Sequence, residues 1–182
     1  MAAGHGVRRE DVMHNTFELL GPPADPAKVK GLEVLAALTR IAQSKSTFVS
    51  RADDSGTNKK EVALWREAGG LAPWKRYIEA GQGMGRSLIM ANEKGAYILA
   101  DRATYLAFKT KVELVPLAAR SQRMNNPYGV MVVRHDDPSE AAARRAHAFV
   151  DYLVSPRGQK RIREFTIAGE QLFIPAHPPA GE

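Results

Sequence analysis

Phe48-Val49-Ser50-Arg51-Ala52-Asp53-Asp54-Ser55-Gly56-Thr57 is the stretch on which the reading of this chain turns. Thr47 to Ser50 is β-branched and aromatic, the composition of a short strand. Residues 51–57 are a polar loop. A helix is expected over about 58–68, carrying Val62, Trp65 and Arg66 and stopped by Gly69-Gly70. A strand that runs through a polar turn into a helix makes a particular electrostatic object. The helix start has unpaired N–H donors and a partial positive charge, and so favours an anion. Gly56 lets a ligand approach the backbone closely. Ser55 and Thr57 add hydroxyl donors, and Arg51 adds a fixed charge whose fork matches an oxyanion. A fully ionised tetrahedral dianion only accepts hydrogen bonds, so a site for it should be built from donors. Asp53 and Asp54 would repel it if aimed inward; they are expected to point outward, cap the helix, or pair with Arg51 when the site is empty. On spacing alone, an ordinary helix cap beside a surface arginine is the commoner reading.

Working outward, Thr16 to Leu20 reads as a strand stopped by Gly21-Pro22-Pro23, after a loose start over residues 1–10. Helical spacing of Val29, Leu32, Leu35, Ala36, Leu38, Thr39 and Ala42 predicts a helix over about 28–43. Trp74 to Ala80 reads as a helical turn. Gly81-Gln82-Gly83-Met84-Gly85 precedes a helix over about 84–93. It breaks the G-x-G-x-x-G pattern, so it is a turn into that helix or a loop lining the same cleft as residues 51–57. Further strands are expected at 96–99, 113–117 and 128–133, and a short helix at 101–108 with Asp101 as N-cap. Asp137-Pro138-Ser139 should cap a helix over about 139–154, followed by one from Ser155-Pro156 to about 166. Alternating short strands and helices argue an α/β fold with mostly parallel strands. The expected core is Leu35, Leu38, Phe48, Leu64, Trp65, Leu88, Tyr97, Leu99, Val130, Val132, Phe149 and Leu153.

Composition narrows the function. The chain has 182 residues, 44% hydrophobic and 25% charged, with a formal charge of +6. The excess favours anionic partners. The densest basic stretch, Arg157, Lys160, Arg161 and Arg163, is broken by Glu164 and reads as a solvated helix face, so no nucleic-acid partner is expected. With no cysteine, disulfides, thiolate-held metals and a thiol nucleophile are excluded. The histidines at 5, 14, 135, 147 and 177 lack metal-ligand spacing, so no metal site and no cofactor are expected. No Ser-His-Asp order or carboxylate pair suggests catalysis, and the chain is read as a binding protein rather than an enzyme. Residues 1–9 contain no apolar core of a signal peptide.

At this point a resemblance enters. Residues 48–61, FVSRADDSGTNKKE, resemble the signature of TupA-type tungstate-binding proteins, commonly SRGDDSGTHKKE. The likeness continues at Leu64-Trp65, at residues 81–85, at Ala96-Tyr97, over residues 99–104, at Asn126-Pro127-Tyr128 and over residues 169–175. It implies a type II periplasmic-binding-protein-like α/β fold. It also implies a function, capture of tungstate or molybdate for an ABC transporter permease, in the periplasm. By resemblance, Arg51 and Thr57 are ligand contacts, with Ser55 and Gly56 at the same helix start; Gly83, Met84 and Asn126 are candidates to line the cleft between two lobes. Ala52 stands where glycine is usual and Asn58 where histidine is usual. By the family pattern, residues 24–125 form one complete lobe, while 1–23 and 126–182 form a partial lobe without its opening βαβ units. An exposed apolar edge should follow there, covered by a second copy or a missing N-terminal segment. A ligand-sensing regulatory module of the same fold is the alternative function.

Overall fold

A computed structural model describes residues 5–70, 73–134 and 140–177. Two units divide the chain: residues 5–15 with 126–177, and Thr16–Asn125. The front boundary lies ahead of the 23/24 expected from the family pattern. The reason is packing: Phe17 and Leu19 belong to the core of the second unit.

In the second unit the strands run in the order β3-β2-β4-β1-β5. They are β1 (Gly6–Gly21), β2 (Phe48–Ser50), β3 (Tyr77–Glu79), β4 (Tyr97–Asp101) and β5 (Val115–Pro116). β2 pairs in parallel with β3 and β4, whereas β1 is antiparallel to β4 and β5. The sheet is therefore mixed rather than mostly parallel. Phe48, Val49 and all of Tyr97 to Ala100 are buried. Such uninterrupted apolar runs suit strands covered on both faces. The helices are α1 (Val34–Gln43), α2 (Gly56–Glu67), α3 (Met84–Glu93) and α4 (Arg102–Phe108).

Two local expectations fail for physical reasons. The first helix begins at Val34, not 28, because Lys28 and Gly31 take positive φ and Glu33 caps the helix by accepting from Leu35 N. The segment at 74–80 is a strand, not a helical turn. Tyr77 stacks on Phe48 with ring centroids 5.7 Å apart, and the backbone from Tyr77 to Glu79 pairs with β2. Tertiary pairing overrides local spacing here. Tyr97 is core and more than core. Its hydroxyl donates to Asp25 Oδ1 and accepts from Ala27 N, both at 2.8 Å.

In the first unit the leading half of β1 pairs with β6 (Asn125–Val133) and with β9 (Ile174–Pro175). Residues expected to be loose thus form strand. α5 (Glu140–Val154) and α6 (Pro156–Glu164) complete the unit, with the small hairpin β7 (Thr166–Ile167) and β8 (Glu170–Gln171). The expected cap at residues 137–139 lies outside the described residues. Fully buried Gln159 ties the unit together: its Nε2 donates to the carbonyls of Val12 and Leu153, and its Oε1 accepts from His177 N. Val132 is buried, but Val130 and Leu153 are half-buried and Phe149 is 58% exposed. Met131, Val133 and Val7 are exposed with it. The sequence pattern places Phe149 in a core, but the described residues of its unit leave it largely uncovered.

Candidate functional site

The paired strands β2 and β3 end side by side, Ser50 opposite Glu79, and Ala80 N donates to Ser50 O at 2.9 Å. Each strand leads directly into a helix, β2 into α2 and β3 into α3. Two helix starts therefore gather at the carboxyl edge of a parallel pair, the usual place for ligands in open α/β sheets.

The turn before α2 is built tightly. Ser55 is the N-cap: its backbone is extended and its hydroxyl accepts from Asn58 N at 3.3 Å. Asp53 Oδ1 accepts from Ser55 N at 3.2 Å. Asn58 Oδ1 accepts from Asp54 N, and Asn58 Nδ2 reaches Ser50 Oγ at 3.5 Å, closing the turn against the strand. Ala52 and Asp54 have positive φ, 48° and 56°. A non-glycine residue there is strained, which gives a physical reason for the glycine usual at position 52.

Arg51 is the charge of the site. One terminal nitrogen (Nη2) pairs with Asp53 Oδ2 at 2.6 Å, while its Nε is buried with no acceptor. Partial burial would raise the Asp53 carboxyl, but the Ser55 hydroxyl and N–H and the Arg51 guanidinium outweigh it and hold Asp53 below the ordinary carboxylate range. Asp54 is exposed and faces Lys59 at 3.4 Å. Thr57 is buried at the helix start. A side chain at Gly56 would meet nothing within 4 Å, so the space over its backbone is open. Like those at any helix start, the N–H groups of Gly56 and Thr57 have no acceptor within the helix. The four residues Arg51, Ser55, Gly56 and Thr57 thus form one donor-rich turn.

The other candidates lie outside this turn. Gly83 caps α3 with no side-chain hydrogen bond, and Met84 is buried beneath it. Gly85 faces Phe108: a Cβ there would stand 2.5 Å from Phe108 Cζ. Asn126 belongs to the first unit, where its Nδ2 donates to Asn15 Oδ1 and to the Tyr128 hydroxyl, each at 2.9 Å. Asn58 was marked from sequence only as a departure from the family's histidine, and Ser50 and Glu61 were not singled out. Their signal was present, since all three fall within the strand-to-helix stretch 48–61. Among the described residues no group of three or more His, Asp or Glu could hold a metal ion.

Comparison with known proteins gives this geometry a context. A family model described as PBP superfamily domain matches residues 1–157. A putative ABC transporter anion-binding protein of Haloferax volcanii is 43% identical over 94% of this chain and 52% of its own length. The tungstate-binding protein TupA of Peptoclostridium acidaminophilum is 42% identical over 96% of this chain and 63% of its own. The structure of tungstate-binding TupA from Desulfovibrio alaskensis G20 superposes with a TM-score of 0.89 at 38% identity, over 97% of this chain and 73% of that one. The fold and the turn together define an α/β binding protein of the periplasmic-binding-protein superfamily. Within that superfamily, the chain belongs to the TupA-type tungstate-binding family. It spans between about half and two thirds of the length of the curated relatives it matches.

Proposed function

We propose that this chain binds a tetrahedral oxyanion, tungstate or molybdate, as the substrate-binding component of an ABC importer, and that it performs no catalysis. One observation carries the reading: a buried arginine Nε without an acceptor, beside a helix start whose overlying space is open. An unpaired buried donor is costly unless something fills the place. A dianion would accept from Arg51, from the N–H groups of Gly56 and Thr57, and from the two hydroxyls. It would compete with Asp53 for the guanidinium, so the empty turn is held in shape by an internal anion that the ligand displaces. Tungstate and molybdate have the same charge and nearly the same size, so this turn accepts both; sulfate, being smaller, leaves its donors further away.

The test is a thermal-shift and calorimetric panel of tungstate, molybdate, sulfate and phosphate, on the chain and on Arg51→Ala. Tungstate and molybdate are expected to shift the chain most, and the variant to lose that shift. An unchanged shift in the variant removes Arg51 from the site. The partners that follow are a transporter permease and, for location, the periplasm; no described helix is long and apolar enough to cross a membrane.

The bare apolar surface of the first unit supports one more part of this reading. Val7, Met131, Val133 and Phe149 are each exposed, and exposed apolar area favours association where it is contiguous. Further polypeptide covers it in the working protein, either a second copy or a segment of the kind that makes its relatives longer. Light scattering should find the isolated chain associated at micromolar concentration; a strict monomer contradicts the second-copy form.

A further inference from the structure

Beneath the oxyanion turn lies a carboxyl group that the turn itself does not use. Glu61 sits on α2 and is 1% exposed. Its Oε1 accepts from the Tyr77 hydroxyl on β3 at 2.9 Å. Its Oε2 is buried without a partner, and so is the indole Nε1 of Trp65, one helical turn further on. The groups facing the carboxyl are the Ser50 hydroxyl at the end of β2, the Tyr77 hydroxyl, the Arg51 N–H and the Trp65 indole. Among them is no cation: the Arg51 guanidinium is committed to Asp53. Glu79 also acts on this cluster, since its charge helps to raise the Tyr77 hydroxyl above its ordinary range. Glu61 therefore bears on both the last residue of β2 and the first peptide of the turn.

We propose that Glu61 is a positioning residue for the turn and that oxyanion capture at residues 51–57 draws a proton onto it. This rests on the oxyanion reading given above. The reasoning is electrostatic. A carboxylate and a bound dianion would face each other across the peptide at Arg51, away from bulk water. Like charges there disfavour the ionised acid. Burial already pushes the Glu61 carboxyl above the ordinary carboxylate range, and the hydrogen bond from Tyr77 and the polar groups of Ser50, Arg51 and Trp65 that face it offset this only in part. The bound anion pushes it further in the same direction. Protonation therefore accompanies binding in a window above the ordinary carboxylate range. By reciprocity, affinity rises as pH falls through that window, by up to about tenfold per pH unit for one linked proton. Asp53 is held on the opposite side of the ordinary range while it pairs with Arg51, and the Glu61→Gln variant separates any proton it takes up on displacement from the one assigned to Glu61.

The experiment is calorimetric titration of the chain with sodium tungstate over a pH series that runs upward from the ordinary carboxylate range to alkaline pH, in pairs of buffers that differ in ionisation enthalpy. The wild type should take up protons on binding and bind more tightly toward the acid end. Glu61→Gln should still bind, with no uptake and an affinity indifferent to pH. Tungstate binding without proton uptake by the wild type, or undiminished uptake by the variant, overturns the proposal and leaves the oxyanion site standing. Failure of the wild type to bind tungstate overturns the site itself, and the linkage with it. If the variant does not fold, infrared difference spectra of the wild type decide: a protonated-carboxyl band must grow on adding tungstate, and its absence overturns the linkage.

Discussion

The two helix starts at the carboxyl edge of β2 and β3 look alike in sequence and do different work. Both follow a strand, both carry glycine, and both begin a helix of at least ten residues. At α2 the glycine faces open space, the cap is a hydroxyl, and an arginine with an unpaired nitrogen stands beside it. At α3 the cap is Gly83 with no side chain to offer, the next residue is buried, and Gly85 is shaped to a phenyl ring. A glycine beside a helix N-terminus thus has two distinct settings: open space over its backbone, or a neighbouring helix packed against it. Only the surroundings say which, and here they place the donors at one turn and the packing at the other.

That contrast can be broken most sharply at Arg51. Arg51→Ala should weaken tungstate binding by about a hundredfold, roughly 3 kcal/mol, since it removes a buried charged donor; calorimetry measures it, and a loss under about threefold would make the two turns equivalent. Next is Gly85→Ala. Crowding Phe108 costs about 2 kcal/mol, less about 1 kcal/mol returned by the better helix former, so urea denaturation should show a net loss near 1 kcal/mol. No loss would mean that the ring shifts freely and the packing role is wrong. Ala52→Gly relieves a positive φ and should stabilise the chain by about 0.5 kcal/mol, a larger gain than the unfolded-state entropy it forfeits. Smallest is Gly83→Ser, which supplies the cap that α3 lacks and should add a few tenths of a kcal/mol; its Cβ meets nothing within 4 Å.

The Asp53 carboxylate gives the same comparison a pH axis. Its value is depressed in the folded chain, so its hydrogen bonds and ion pair contribute stability that is present above the unfolded value and lost as pH falls through the depressed one. Glu61 runs the other way. Its raised folded value means that stability is lost as pH rises through it, and Glu61→Gln should gain on the wild type at the alkaline end.

Much of the second unit was legible in the chain. The strand at 48–50, the helix expected from about 58 and observed from Gly56, the helix start at 84, and Asp101 as a cap with its carboxylate accepting from Thr104 N all follow from local pattern and cap chemistry. What resisted is specific. The strand at 77–79 has the spacing of a helical turn and becomes a strand only because β2 offers it an unpaired edge. Residues 6–10, read as part of a loose start, carry mostly polar side chains, yet they belong to β1, which pairs with β6 and β9. Phe149 lies on an apolar stripe of α5 but is exposed, since periodicity shows which face is apolar and not whether anything covers it.

By itself, then, the order of residues determined the donor set. Arginine, two hydroxyls and a glycine at a strand-to-helix turn are local properties, set by helix-end chemistry and short-range spacing. Tertiary structure alone decided the partners of those groups: that Arg51 is held by Asp53 with its Nε left open, that Gly85 belongs to Phe108, and that Glu61 is sealed under the turn without a cation. Those outcomes depend on which distant segments pack together and exclude water, and no local pattern encodes that.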